Sequence, residues 1–426
     1  MLSFSRSKFE RSLSVSGAVV AALALATLNL FPEFKLVNLL LIALAGSLFW
    51  AARIAAGSGH WNHTPLDIPV LLIALQMVVS FWATALPETT WVAASQLAAG
   101  LVVFYAVVNW AQDRSRLWWA VAVTIALGLG MALLAPFAVD WLTEQKVFLP
   151  LALYRPFRLL LPDPIHRNVM AGSMITLIPL PLALALSLPA APRKRQWLKG
   201  ALLTVCALQI AILILTRSRG GYVALVVGLW LTLWLSGRRR WALGFLLLCA
   251  VLFAVLVTRP QVEVASQTDA AQAALDPSTW GFRQHVWRTA LFIIGDFPFT
   301  GVGMGTFNDV VALLYGFYSP ENPGTHNLFL QVGVDLGILG LTSFLAILLI
   351  VLWAGWQARR RLDAMHEPAL RAVAVGGLAG IVATITHGLL DHHTWGSKGA
   401  FIPWVVMGLV VALHRLTMRP SEETVL

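Results

Sequence analysis

From about position 14 to position 417 the chain is a succession of apolar runs, broken by short polar turns and, in two places, by longer loops. Runs near 14–31, 36–56, 67–86, 91–110, 117–137, 168–190, 197–215, 220–237, 241–258, 327–353, 370–390 and 399–417 are each about long enough for a helix to cross roughly 30 Å of hydrocarbon. Only 12% of the 426 residues are charged, 58% are hydrophobic, and mean hydropathy is +0.76, which excludes an ordinary soluble globular chain. The expectation is an all-α polytopic membrane protein of about 12 transmembrane helices. Its parts are residues 1–258 with the first nine spans and a smaller loop at 138–167, a large loop at 259–326, and residues 327–426 with the last three spans and a short tail. The basic N-terminus (Arg6, Lys8, Arg11) before an apolar stretch resembles a secretory signal, but one apolar segment after another follows, so it reads as a retained first span. Cys206 and Cys249 each sit inside an apolar run and read as packing residues.

Twelve spans put both termini on one side. With the N-terminus cytoplasmic, 19 of the 30 Lys and Arg fall on inside segments such as GRRR and QARRRL, and most of the remaining 11 lie in the two long loops, which weigh less in setting orientation. The net charge of +10 therefore reflects cytoplasmic anchoring, and no nucleic-acid partner is needed to explain it.

One turn runs against this rule. LILTRSRGGYV places Arg217 and Arg219 on the outer face with scarcely a loop between two spans. An arginine near hydrocarbon depth costs about 2.5–3.5 kcal/mol on insertion scales and usually faces a cavity and a partner. The alternatives are snorkelling to headgroup phosphates or binding an anionic ligand, with the small flanking residues Thr216, Ser218, Gly220 and Gly221 allowing close approach.

The same face collects further polar groups. Loop 138–167 supplies Arg155, Arg158, His166 and Arg167, and Asn168 opens the sixth span. The large loop contains GFRQHVWRTALFIIGDFP, in which Trp287, Ala290, Leu291 and Ile294 recur at helical spacing, flanked by Arg283 and Arg288. FTGVGMGTF follows, without the lysine and Ser/Thr of a phosphate-binding P-loop, so Gly301, Gly303 and Gly305 read as a tight re-entry turn. NPGTHNLFLQVGVDLGILGL sets His326 and Asn327 where the loop returns to the membrane, with Gln331 one turn on. Asp335, about two and a half turns below His326, reads as a packing residue. Asp391, His392 and His393 stand together near the end of the eleventh span, but no further ligand at helical spacing accompanies them, and no metal or other cofactor is expected.

TRSRGGY, GFRQHVW, DFPFTGVGMGTF and HNLFLQVGVDLGILGL, in this order between about 216 and 342, resemble the bacterial O-antigen ligase and polymerase superfamily. The resemblance implies a C-type glycosyltransferase-like helical bundle whose large periplasmic loop contains short helices. It implies transfer of a finished polysaccharide from undecaprenyl diphosphate to the lipid A core oligosaccharide, at the periplasmic face of the inner membrane. The membrane lipids and these two substrates are the expected partners.

The residues suit such chemistry. A periplasmic donor must bring its own leaving group, and a departing diphosphate needs its charge stabilised by a metal or by arginines. Arg219 and Arg217, joined by Arg283 or Arg288, are expected to grip it through forked hydrogen bonds. His326, which matches the superfamily's His-Asn motif, is expected to accept or orient the proton of the attacking hydroxyl, and direct attack would invert the anomeric centre. Asn327, Gln331, Trp287, Arg167 and Asn168 are expected near donor or acceptor, with a plain interfacial role open for Trp287 beside stacking on sugar, and a plain helix-start role equally open for Arg167 and Asn168. A polymerase of the superfamily is expected to show two substantial outer loops, and a protein O-oligosaccharyltransferase a longer tail than MRPSEETVL. An anion transporter is expected to show repeated halves with broken helices near the midplane.

Overall fold

The computed structural model describes residues 2–55, 63–139, 141, 165–189, 193–257, 280–316 and 324–418. Loop 138–167 therefore falls almost entirely outside the described residues, with Arg155 and Arg158, as do the alanine-rich opening of the large loop and Lys146 and Arg259. Among the described residues every regular element is a helix: α1 Leu2–Leu30, α2 Lys35–Ala55, α3 Asp67–Ala83, α4 Pro87–Trp110, α5 Arg114–Ala138, α6 Arg167–Leu177, α7 Pro179–Ser187, α8 Arg193–Leu215, α9 Arg219–Leu235, α10 Arg239–Val257, α11 Trp280–Asp296, α12 Phe307–Leu314, α13 Leu328–Ala364, α14 Pro368–Gly388 and α15 Ile402–Met418. Among the described residues eight stretches are long and apolar enough to cross a membrane, α6 and α7 together forming one of them, and α3, α9 and α15 are shorter apolar helices. The all-helical, multi-span architecture follows from the solvent: hydrocarbon offers no partner to a backbone N–H or C=O, and a helix pairs them internally.

The bundle closes around α14, which packs against α6, α7, α9, α13 and α15. Its sequence AVGGLAG makes this possible. A Cβ on Gly380 would lie 2.3 Å from the Thr176 carbonyl and one on Gly376 2.6 Å from the Leu180 Cα, so the backbones cross in near contact, as small residues permit in membranes. Thr176 and Thr384 share a hydrogen bond of 2.6 Å across this crossing. The expected span at 168–190 is two helices, separated at Ile178 and restarted by Pro179, because the proline ring forbids the preceding bond of a continuous helix.

The expected tenth span runs on to Ala364 and is broken at Gly337, whose φ of 68° is left-handed. A break inside a span frees backbone groups that lipid cannot satisfy. The glycine-rich segment after α11 satisfies them. The Ile338 N–H donates to the Pro298 carbonyl at 2.7 Å and Val302 N–H to the Val334 carbonyl at 2.9 Å. The Gln76 amide of α3 bridges the Phe299 and Leu336 carbonyls at 2.8 Å each. Gly301, Gly303 and Gly305 all have positive φ, and Met304 between them is fully buried. The re-entry turn read from FTGVGMGTF is thus wedged between α3, α4 and the break in α13.

Candidate functional site

Five segments meet where α6, α9 and α13 begin and α14 ends: the start of α6, the turn before α9, the first half of α11, residues 324–327, and residues 389–395. The turn before α9 is made by Thr216, whose hydroxyl donates to the Leu213 carbonyl at 2.6 Å, and by Ser218, whose hydroxyl accepts from Gly221 N–H at 3.2 Å and caps α9. Both are buried, which leaves Arg217 (φ 51°) and Arg219 exposed. Among the described residues neither arginine is held by an ion pair. Gly220 and Gly221 serve packing here: Cβ atoms on them would meet Leu390 and Leu213 at 3.2 and 3.0 Å.

Helix α11 brings in the second group. Its buried face is Phe282, Val286, Thr289, Ala290 and Ile293. Leu291, expected on that face, is 58% exposed, because the helix lies on α13 by the stripe one residue away. Arg283 is half-buried and donates to the Leu390 carbonyl at 2.9 Å. Burial depresses its pKa, Asp391 works the other way, and Arg219 is near enough to depress it further. Arg283 and Arg219, 64 residues apart in number, therefore share one electrostatic environment. Arg288 is exposed and, five residues on, stands about 140° around the helix from Arg283.

Trp287 donates from its indole N–H to the Thr325 carbonyl at 3.0 Å, which ties α11 to the residue before His326. His326 is 7% exposed, has φ 52°, and donates its backbone N–H to His392 Nδ1 at 3.3 Å. Its Nε2 has no hydrogen-bond partner among the described residues. Burial pushes the imidazole down to about 4, against the pull of Asp391 and helped by His393 and Arg283, so the ordinary value near working pH does not hold here. Asn327 caps α13, its side-chain oxygen accepting from Phe329 and Leu330 N–H at 3.0 and 3.1 Å, while its amide donates to the Leu389 carbonyl. Gln331 was expected beside substrate; it is 3% exposed, with Oε1 accepting from Thr325 N–H at 3.0 Å and Nε2 donating to Asp335 at 2.9 Å. Both of its polar ends are engaged by protein.

At the start of α6, His166 Nδ1 accepts from Asn168 N–H at 3.2 Å, and its ring stacks on His393 at 4.0 Å, tilted by 6°. The Asn168 amide donates to Asp391 at 2.6 Å. Asp391 also accepts from the backbone N–H of His393 at 2.8 Å and pairs with its ring Nδ1 at 2.8 Å. Burial opposes its charge, but His393, His387 and His392 hold the carboxyl well below its usual range. Arg167 lies within electrostatic reach of the same carboxylate.

Asp391, His392 and His393 place one ligand atom each within 4.8 Å of one another, a spacing that a metal ion accepts. Both oxygens of Asp391 already accept hydrogen bonds from Asn168 and His393, so a metal would share the carboxylate with these donors. Helical spacing in the sequence offered no further imidazole; the tertiary structure adds His166, stacked on His393, and His326, 5.7 Å from His392. His387, fully buried and 3.5 Å from the Ser218 hydroxyl, was not singled out by the sequence. The available signal was a lone titratable residue inside an apolar span.

Residues 203–345 match the family model described as O-Antigen ligase, so the resemblance carried by the four motifs holds over the segment that contains Arg217, Arg219, Arg283, Arg288 and His326. The chain is also 31% identical over 241 residues to the probable peptidoglycan glycosyltransferase FtsW of Methylococcus capsulatus, an alignment that covers 54% of this chain and 58% of that protein.

Proposed function

We propose that this chain is an O-antigen ligase. It moves a polysaccharide from undecaprenyl diphosphate to the lipid A core oligosaccharide, with inversion and without a metal. The observation that carries this reading is the meeting, within the matched segment, of exposed arginines and a buried histidine. Arg219 and Arg283 lie near one another, and α11, which carries Arg283, is bonded through Trp287 to the residue before His326. Guanidinium groups stabilise the charge that develops on a departing diphosphate through bidentate, charge-assisted bonds. Arg217 and Arg219 hold the donor, with Arg283 in preference to Arg288 beside it, and His326 takes the proton of the acceptor hydroxyl as it attacks the anomeric carbon. Arg167 and Asn168 open α6 next to Asp391, Asn168 by a hydrogen bond to its carboxylate. The protein sits in the bacterial inner membrane with twelve crossings, both termini cytoplasmic and the site open to the periplasm. A relative described as a glycosyltransferase supports the reaction class.

A polymerase of the same superfamily uses the same donor and is the second reading. The two are separated by incubating purified protein in nanodiscs with lipid-linked glycan and lipid A core, with EDTA present. Wild type, His326→Ala and Arg219→Ala are compared. Glycan on the core, from wild type alone, is the expected outcome; growth on the lipid carrier makes the protein a polymerase, and no reaction returns the anion transporter.

A further inference from the structure

We propose that Asp335 and Gln331, neither of which touches the reacting atoms, are positioning residues that hold His326 in its working conformation. This rests on the reading of His326 as the proton acceptor. His326 has a left-handed φ of 52°, which a residue with a Cβ keeps only when its surroundings impose it. The imposing contacts fall on its neighbour. Thr325 is fully buried, and both of its backbone polar groups are fixed: its N–H donates to Gln331 Oε1 at 3.0 Å and its carbonyl accepts from Trp287 Nε1 at 3.0 Å. Its hydroxyl donates to the Asn327 carbonyl at 2.7 Å, so the chain on both sides of His326 is pinned.

The clamp depends on which way the Gln331 amide faces. The Thr325 backbone N–H can only donate, so Oε1 must face it, which turns Nε2 toward an Asp335 oxygen. Asp335 holds that orientation by accepting from Nε2. Its own position is fixed from two other elements, by the Gly305 N–H at 3.3 Å and by Trp395 Nε1 at 3.0 Å. The single buried side chain of Asp335 at the break in α13 thus links the glycine-rich turn, the segment after α14 and the Thr325 clamp. Among the described residues Asp335, Gln331 and Thr325 make no hydrogen bond to Arg217, Arg219 or Arg283. Loosening the clamp lets His326 relax from positive φ and carries the imbalance into turnover, while donor binding stays as it was.

The test compares Gln331→Met, Asp335→Asn and Asp335→Leu with His326→Ala in full-length protein in nanodiscs. Two readouts are taken: kcat and KM for lipid-linked glycan, and the rate at which diethyl pyrocarbonate modifies His326, followed by peptide mass spectrometry. Gln331→Met is expected to lower kcat by about tenfold to a hundredfold, the scale of a small misplacement of a reacting group, with KM little changed and faster labelling of the otherwise buried His326. Asp335→Asn, which keeps an oxygen for Gln331, is expected to retain more turnover than Asp335→Leu. Wild-type kcat and wild-type labelling in Gln331→Met overturn the proposal. If Asp335→Leu does not fold, the pair Gln331→Met and Asp335→Asn decides alone. Should His326→Ala keep full transfer, the assignment of His326 as proton acceptor fails, and unchanged labelling in Gln331→Met shows separately that the clamp does not hold the imidazole.

Discussion

The side-chain amide of Asn168 donates to the Asp391 carboxylate at 2.6 Å, across 223 residues of sequence. This bond joins the first turn of α6 to the segment after α14, and the other carboxylate oxygen holds His393. Asp391 is 4% exposed, so a lost donor is not replaced by bulk water. Asn168→Leu is expected to destabilise the protein by about 1–3 kcal/mol, the range for a buried group stripped of its partner. Thermal unfolding in detergent checks this, and an unchanged midpoint would show that the bond contributes nothing.

The pH dependence follows from His326. Its pKa is about 4 in the folded protein against 6.5 for a free side chain, so well above pH 6.5 it is unprotonated both folded and unfolded and stability does not change with pH. Below about pH 6.5 the unfolded chain takes up a proton that the folded chain refuses until about pH 4, and stability falls across that window by roughly 3 kcal/mol in total. The acid limb of kcat/KM, which reports the free enzyme, is expected near pH 4. An anionic diphosphate bound nearby favours the imidazolium, so the acid limb of kcat is expected at higher pH. Coincident limbs would show that no such charge approaches the ring.

Among the arginines the structure separates Arg283 from Arg288. Arg283 faces the site end and bonds the Leu390 carbonyl, whereas Arg288 points elsewhere on an exposed face. Arg219→Ala and Arg283→Ala are each expected to lower kcat/KM by about a hundredfold to a thousandfold, the loss seen when a donor to developing charge is removed. Arg288→Ala is expected to cost less than either. An equal loss in all three would place Arg288 on the donor.

The re-entrant loop makes a sharp prediction about glycine. Gly301 has φ 64°, and a Cβ there would sit 2.5 Å from the Asp335 and Val334 carbonyl oxygens, neither of which can yield. Gly301→Ala is expected to cost more than about 2 kcal/mol, from strain at positive φ and from overlap. Gly130, inside α5, has nothing within 4 Å of its missing Cβ, and Gly130→Ala is expected to be neutral or to stabilise by about 0.5–1 kcal/mol. Similar unfolding midpoints for the two variants would contradict the loop's placement.

Much of the architecture was legible in the sequence because lipid imposes a one-dimensional rule: a span must be helical, apolar and about 20 residues long. The runs of hydropathy and the tight turn at Gly301, Gly303 and Gly305 follow from such local patterns. The break at Gly337 was not legible, since a glycine in an apolar run looks the same whether or not another segment arrives to take up the freed Ile338 N–H and Leu336 carbonyl. Nor was the division of roles among the polar residues. The Gln331–Asp335 pair and the Asn327 cap are local, but only the tertiary structure ties Asn327 to Leu389, Asp335 to Trp395 and Asn168 to Asp391. Hydrogen bonds between residues tens to hundreds of positions apart leave no periodic trace, so the chain's apolar pattern determined where the site could be, and packing decided which side chains are spent on holding it and which stay open to a substrate.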